Sequence, residues 1–278
     1  MSEIKTHSGE HEPIKLDGHM EWHGLKLQTV TVLPEVEKSK LPLVCMIGGI
    51  PRNKENSRDF HPLKSGTFEA YSMEFARRGE ASFVMSPVGM GDSEGDTFSH
   101  SIEDRIDAWT GAIMLLAEDP RFDSDNFSLL GNSMGGHIAI KVSERLSAQG
   151  VNVKNLILVS PAAYPDEVEE VNFGSQWGKT AEKYSGSMAQ VFDVLKNFRG
   201  RVLLSWVQSD RPVSVEKQSA YNEVMDARMR SGGSDAAMSH VGVEHNFRKL
   251  NSNPSDNLIE IGSLDNAAKI FADWQLAG

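Results

Sequence analysis

The segment Ser128-Leu129-Leu130-Gly131-Asn132-Ser133-Met134-Gly135-Gly136 constrains this chain more than any other. An apolar run enters G-x-S-x-G, and an apolar helical pattern from Gly136 to Leu146 follows it. That order predicts strand, sharp turn, helix. So tight a turn needs small residues two positions before and two after the serine. It would hold the Ser133 hydroxyl above a strand end, at the positive end of a helix. Ser133 is therefore the expected nucleophile. The alternative is a plain glycine-rich strand-to-helix turn.

Around this segment, short apolar runs alternate with helical patterns. Strands are expected over His23 to Leu33, Leu41 to Ile47, Ala81 to Met85, Phe127 to Leu130, Leu156 to Val159, Val202 to Val207 and Ala236 to Val241. Helices are expected over Phe68 to Arg78, Ile102 to Ala117, Ser133 to Leu146, Val215 to Met229 and Ala267 to Leu276. This alternation implies an α/β fold, a mostly parallel twisted sheet with helices on both faces. With 278 residues and no repeat or linker, one domain over 1–278 is expected, with 1–13 as a polar tail. The interval Pro161 to Arg199 is about twice the usual crossover length and is expected to form a small helical lid. It holds Tyr164, Phe173, Trp177, Tyr184 and Phe192 among acidic residues. Phe173 and Trp177 are candidates for an apolar acyl pocket; otherwise they are ordinary core.

Composition narrows the partners. The net charge of −11 disfavours nucleic acid and anionic membranes. The single cysteine, Cys45, excludes an internal disulfide and lies in an apolar run, as a buried thiol would. Met1 to His19 has no apolar leader segment, and no 18-residue apolar stretch occurs, so a cytoplasmic location is expected. His7, His11, His19 and His23 are concentrated near the N-terminus. His19 and His23 stand four apart, but in tail and strand rather than helix, so no metal is expected. The loop Pro87 to Gly95 fails G-x-G-x-x-G, since Glu94 stands three after Gly91, and it reads as a structural loop. No cofactor is called for.

A serine hydroxyl is a poor nucleophile without a base, and the base needs an orienting acid. In such sheets these groups sit in loops after strand C-termini. Asp210 follows the Val202 to Val207 strand and is the expected acid. His245, in Gly242-Val243-Glu244-His245-Asn246-Phe247 after the last strand, is the expected base. His240 falls within that strand and reads as structural, and Glu244 is too close in sequence to His245 to orient it. The resulting chain order is Ser133, Asp210, His245. The oxyanion needs backbone donors. The Met134 amide is one. Gly48-Gly49-Ile50-Pro51 should supply the other, Ile50 first and Gly49 second, because Pro51 has no N–H.

Taken together, these residues resemble the α/β-hydrolase superfamily. The matching pieces are Gly48-Gly49-Ile50, Gly89 to Gly95, Gly131 to Gly135, Ser209-Asp210 and Glu244-His245, spread over Leu25 to Gly278. The Gly89 to Asp96 loop is similar to that of the cinnamoyl/feruloyl esterase and serine aminopeptidase-like branch. Gly48 and Asn132 depart from the common pattern, in which histidine precedes the glycine and His, Asp or Glu precedes the nucleophile. A serine rather than aspartate nucleophile argues for acyl chemistry. The leading expectation is a carboxylic ester hydrolase acting on a small acyl ester or thioester, as monomer or homodimer. An acyltransferase or thioesterase would use the same triad. A peptidase or a non-catalytic binding protein on this fold are further alternatives.

Overall fold

The computed structural model describes residues 12–36, 38–49, 66–174, 176–184, 190–207, 213–232, 234–240 and 264–277. Its strands are β1 (Ile14–Trp22), β2 (Leu25–Leu33), β3 (Leu41–Ile47), β4 (Ala81–Met85), β5 (Phe122–Asn132), β6 (Val153–Val159), β7 (Arg201–Val207) and β8 (Ala236–His240). Its helices are α1 (Thr67–Arg77), α2 (Ile102–Glu118), α3 (Met134–Ala148), α4 (Asp166–Glu169), α5 (Trp177–Lys183), α6 (Val191–Asn197), α7 (Val215–Arg230) and α8 (Leu264–Leu276). The strands form one sheet in the order β1-β2-β4-β3-β5-β6-β7-β8. The pairs β1–β2 and β2–β4 are antiparallel; all others are parallel. This is the α/β-hydrolase architecture.

Burial on both faces explains why the central strands read as unbroken apolar runs. Along β3, Leu43, Cys45 and Ile47 join one core cluster with Ile106 and Trp109 of α2 and Ile138 of α3. Val44 and Met46 point the other way, to Tyr71 and Phe75 of α1 and Phe271 of α8. Cys45 is fully buried, and burial raises its thiol pKa. The helix α2 opens with a capping box between Ser101 and Asp104.

β1 lies outside the expected strands, although Ile14, Leu16, Met20 and Trp22 alternate with Lys15, Asp17, His19 and Glu21. It is an edge strand, mostly exposed, with only Trp22 buried. It pairs with β2 from Ile14↔Leu33 to Trp22↔Leu25. The turn between them is His23-Gly24, both at positive φ (47° and 78°), as a two-residue hairpin requires. β5 also starts earlier than expected, at Phe122, through a polar stretch.

The parallel register brings strand ends together. Asn132 faces Val159, Val159 faces Ser205, and Val207 faces His240. The chain from Pro161 to Arg199 is helical over α4, α5 and α6. Among the described residues, no helix is long and apolar enough to cross a membrane.

Candidate active site

Ser133 occupies the turn between β5 and α3 at φ 57°, ψ −123°. A non-glycine residue there stores roughly 1–3 kcal/mol of backbone strain. The surroundings enforce it. A Cβ at Gly131 would overlap the Gly135 carbonyl, one at Gly135 would overlap the Ile47 carbonyl, and one at Gly136 would lie 2.5 Å from Pro161 Cβ. The small residues around the serine are thus a steric demand of strand and helix packing. Backbone bonds fasten the turn: Ser133 N–H donates to Val159 O, and Ser133 O accepts from Gly136 and Ala162 N–H, all at 2.9 Å.

Ser133 stands at the N-cap of α3, yet its hydroxyl makes no capping bond among the described residues. The Met134 amide begins the helix, where N–H groups have no intrahelical acceptor. Gly49 abuts the nucleophile: a Cβ on it would lie 3.4 Å from Ser133 Cβ and 3.6 Å from Oγ. Ser133 and Gly49 therefore adjoin, and Met134 follows Ser133 as the first residue of α3. Ile50, Asp210 and His245 lie outside the described residues. The strands that lead to Asp210 and His245, β7 and β8, end on the same edge of the sheet as β5.

Two groups went unnoticed in the sequence. The first is Arg105 of α2, only 5% exposed. Its Nη1 donates to Gly49 O at 3.2 Å, its Nη2 approaches Met90 Sδ at 3.3 Å, and its guanidinium lies 4.7 Å from the Phe173 ring centroid. Burial pulls its pKa down to about 10. The signal was available: an arginine among Ile102, Ile106 and Trp109, on the buried stripe of an amphipathic helix.

The second is His137, one turn into α3 and fully buried. Its Nδ1 accepts from Tyr164 N–H at 3.3 Å, so Nε2–H donates to Glu169 Oε1 at 2.9 Å. Lys141 Nζ lies 3.5 Å from Glu169 Oε2. Burial holds the imidazole pKa below its ordinary value. Burial raises Glu169, but the His137 bond and the neighbouring cation outweigh it, and the carboxyl sits below the usual range. This network ties α4 to the nucleophile helix.

Phe173 is buried in the core and Trp177 is half-buried, their centroids 5.6 Å apart. Tyr164 packs against Trp177 at 5.5 Å. The Pro87 to Gly95 loop is a structural one: Ser93 Oγ accepts from Gln28 N–H at 2.9 Å and donates to Ser86 O at 2.8 Å. Among the described residues, no group of three or more His, Cys, Asp or Glu is arranged to hold a metal ion.

Solved structures share the fold. Est1E from Butyrivibrio proteoclasticus, solved with ferulic acid bound, is 16% identical with a TM-score of 0.66, over 94% of this chain and 100% of that one. A dipeptidyl peptidase 4 from Porphyromonas gingivalis is 16% identical with a TM-score of 0.65, over 96% of this chain and 36% of that one. The thioesterase domain of the curacin biosynthetic pathway is 14% identical with a TM-score of 0.59, over 95% and 99%. No curated protein matches the chain. The family model for serine aminopeptidase, S33, matches residues 63–238, more than half of the chain. With its sheet order and its strand–Ser133–helix turn, the chain belongs to the serine aminopeptidase S33 family of α/β hydrolases.

Proposed function

We propose that this hydrolase cleaves carboxylic esters through an acyl-enzyme on Ser133. The observation that carries the reading is the strained Ser133 turn, whose hydroxyl no helix cap consumes and which Gly49 and the start of α3 flank. Ser133 Oγ attacks the acyl carbon while His245 takes its proton and Asp210 orients the imidazole. The oxyanion accepts from Met134 N–H and from Ile50 or Gly49 N–H. The C–O bond to the alcohol breaks, and the alcohol leaves with the proton held by His245. Water then attacks the acyl carbon, gives a proton to His245, and releases the carboxylic acid and Ser133.

A thioesterase or acyltransferase differs only in the leaving group or the acceptor. The likeness to a thioesterase domain keeps that reading in view. The family description raises amide cleavage as a further outcome. Labelling with a fluorophosphonate tests the nucleophile, with Ser133→Ala as control. A panel of nitrophenyl esters, aryl esters, acyl thioesters and aminoacyl anilides, with and without added acceptor alcohols, then ranks the reactions. Fastest turnover of the anilides would replace the ester reading, and failure of Ser133 to label would end it.

A further inference from the structure

Two cations stand in a cluster next to the nucleophile's neighbours Gly49 and Tyr164, in a chain whose net charge is −11. One is Arg105. The other is Lys217, in the first turn of α7, where a positive charge opposes the helix dipole. Lys217 Nζ lies 5.2 Å from the Tyr164 ring centroid. Among the described residues no carboxylate charge acts on either cation: burial lowers both, and only Tyr164 acts on Arg105. Arg105 is buried and Lys217 half-buried, and a buried charge is ordinarily paired, because desolvation without a partner is strongly unfavourable.

The neighbours are donors too. The Trp177 Nε1–H is buried and has no partner among the described residues. Of the five N–H donors of Arg105, the described residues occupy two, with a carbonyl and a thioether sulfur. The rings of Tyr164, Phe173 and Trp177 connect these groups into one cluster. It adjoins the reaction centre at two places. Arg105 holds Gly49, which abuts Ser133, and Tyr164 stands two residues beyond Ala162, whose N–H donates to Ser133 O. The cluster is rich in donors and cation charge and poor in acceptors.

From this arrangement we infer that the substrate carries a carboxylate, received by Lys217, Arg105 and Trp177 Nε1–H, with its apolar stem on the Tyr164 and Trp177 rings. The inference rests on the ester hydrolase reading for the reaction, but the anion site can be measured apart from it. Two screened cations and one N–H around a carboxylate give at least tenfold selectivity over a neutral analogue.

The direct measurement uses the Ser133→Ala chain, which cannot turn over. Monomethyl adipate should bind it at least tenfold more tightly than methyl hexanoate. Lys217→Met added to that chain should remove about tenfold of the difference, and Lys217→Arg should keep it. Equal binding of the two ligands, together with equal binding of the butyrate esters of 4-hydroxybenzoate and methyl 4-hydroxybenzoate, would overturn the inference whatever the protein catalyses. The kinetic measurement compares 4-nitrophenyl hydrogen adipate with 4-nitrophenyl hexanoate, and the butyrate ester of 4-hydroxybenzoate with that of methyl 4-hydroxybenzoate. A kcat/KM ratio of ten or more in the first pair places the carboxylate on the acyl side, and in the second pair on the alcohol side. Trp177→Phe, which keeps the ring and deletes the N–H, should lower that ratio severalfold. A labelled Ser133 with no preference in either pair would overturn the inference while leaving the hydrolase reading intact. Discrimination in binding with no labelling would do the reverse.

Discussion

Arg105 Nη1 donates to the carbonyl oxygen of Gly49 at 3.2 Å, across 56 residues of sequence. A peptide group is planar and trans, so holding its carbonyl also sets the direction of the N–H at its other end. By connectivity that N–H belongs to Ile50, the first candidate for the second oxyanion donor. Arg105→Met should therefore lower kcat about 10²-fold for neutral esters, with a smaller change in KM, and lower kcat/KM further for carboxylate-bearing ones. Arg105→Lys should recover part of it. Steady-state kinetics beside a thermal melt separates this from simple unfolding, and an unchanged kcat would remove Arg105 from the machinery.

Ser133→Ala should abolish turnover, by a factor on the order of 10⁶. Ser133→Gly should be as inactive but more stable than Ser133→Ala by about 1 kcal/mol, because glycine accepts φ 57° without a Cβ clash. Chemical denaturation of the two variants provides the comparison. Equal midpoints would mean that the turn stores no strain.

His245→Ala should match Ser133→Ala in severity, and the double variant should be little worse than either. His240→Ala should act on stability instead. Activity should rise through roughly pH 6 to 8 as neutral imidazole accumulates. It should survive chelators, since Asp210 supports the histidine. An equal catalytic loss in His240→Ala would reassign the base, and zinc-restored activity after chelation would replace the mechanism.

Glu80, far from the site at the start of β4, offers a stability test with a definite sign. It is 3% exposed, Gln275 Nε2 donates to one of its oxygens at 3.2 Å, and the other has no partner among the described residues. Burial raises its pKa from 4.5 to about 7. Between those values the folded chain binds more protons than the unfolded one. Its stabilising contribution is thus complete below the unfolded value and is lost as pH rises through the folded one. Glu80→Gln should stabilise at pH 8, by something on the order of 2 kcal/mol, and change little near pH 4. Urea melts at the two pH values give the difference, and equal shifts would contradict the burial argument.

The parts legible in the sequence share a property: each is dictated by neighbours a few residues away. Strands buried on both faces must be apolar throughout, so β3, β4 and β6 are visible as runs such as Leu43 to Ile47. The nucleophile turn is visible because Gly131, Gly135 and Gly136 are each barred from carrying a Cβ. β1 carries the same kind of local signal, Ile14, Leu16, Met20 and Trp22 alternating with polar residues, but as a mostly exposed edge strand it has no unbroken apolar run, and pairing with β2 sets its register.

Local pattern alone therefore determined the sheet's core, the crossover helices and the position of Ser133, because sterics and periodicity act over a few residues. Tertiary structure decided what surrounds that serine. Whether Arg105 is a misplaced surface charge or a buried one depends on Gly49, Met90 and Phe173 arriving from three other segments. His137 becomes a neutral hydrogen-bonded strut only when Glu169 and Tyr164 close over it. Charge burial and pairing are properties of the assembled neighbourhood. They depend on desolvation by residues far apart in the chain, and no window of sequence contains them.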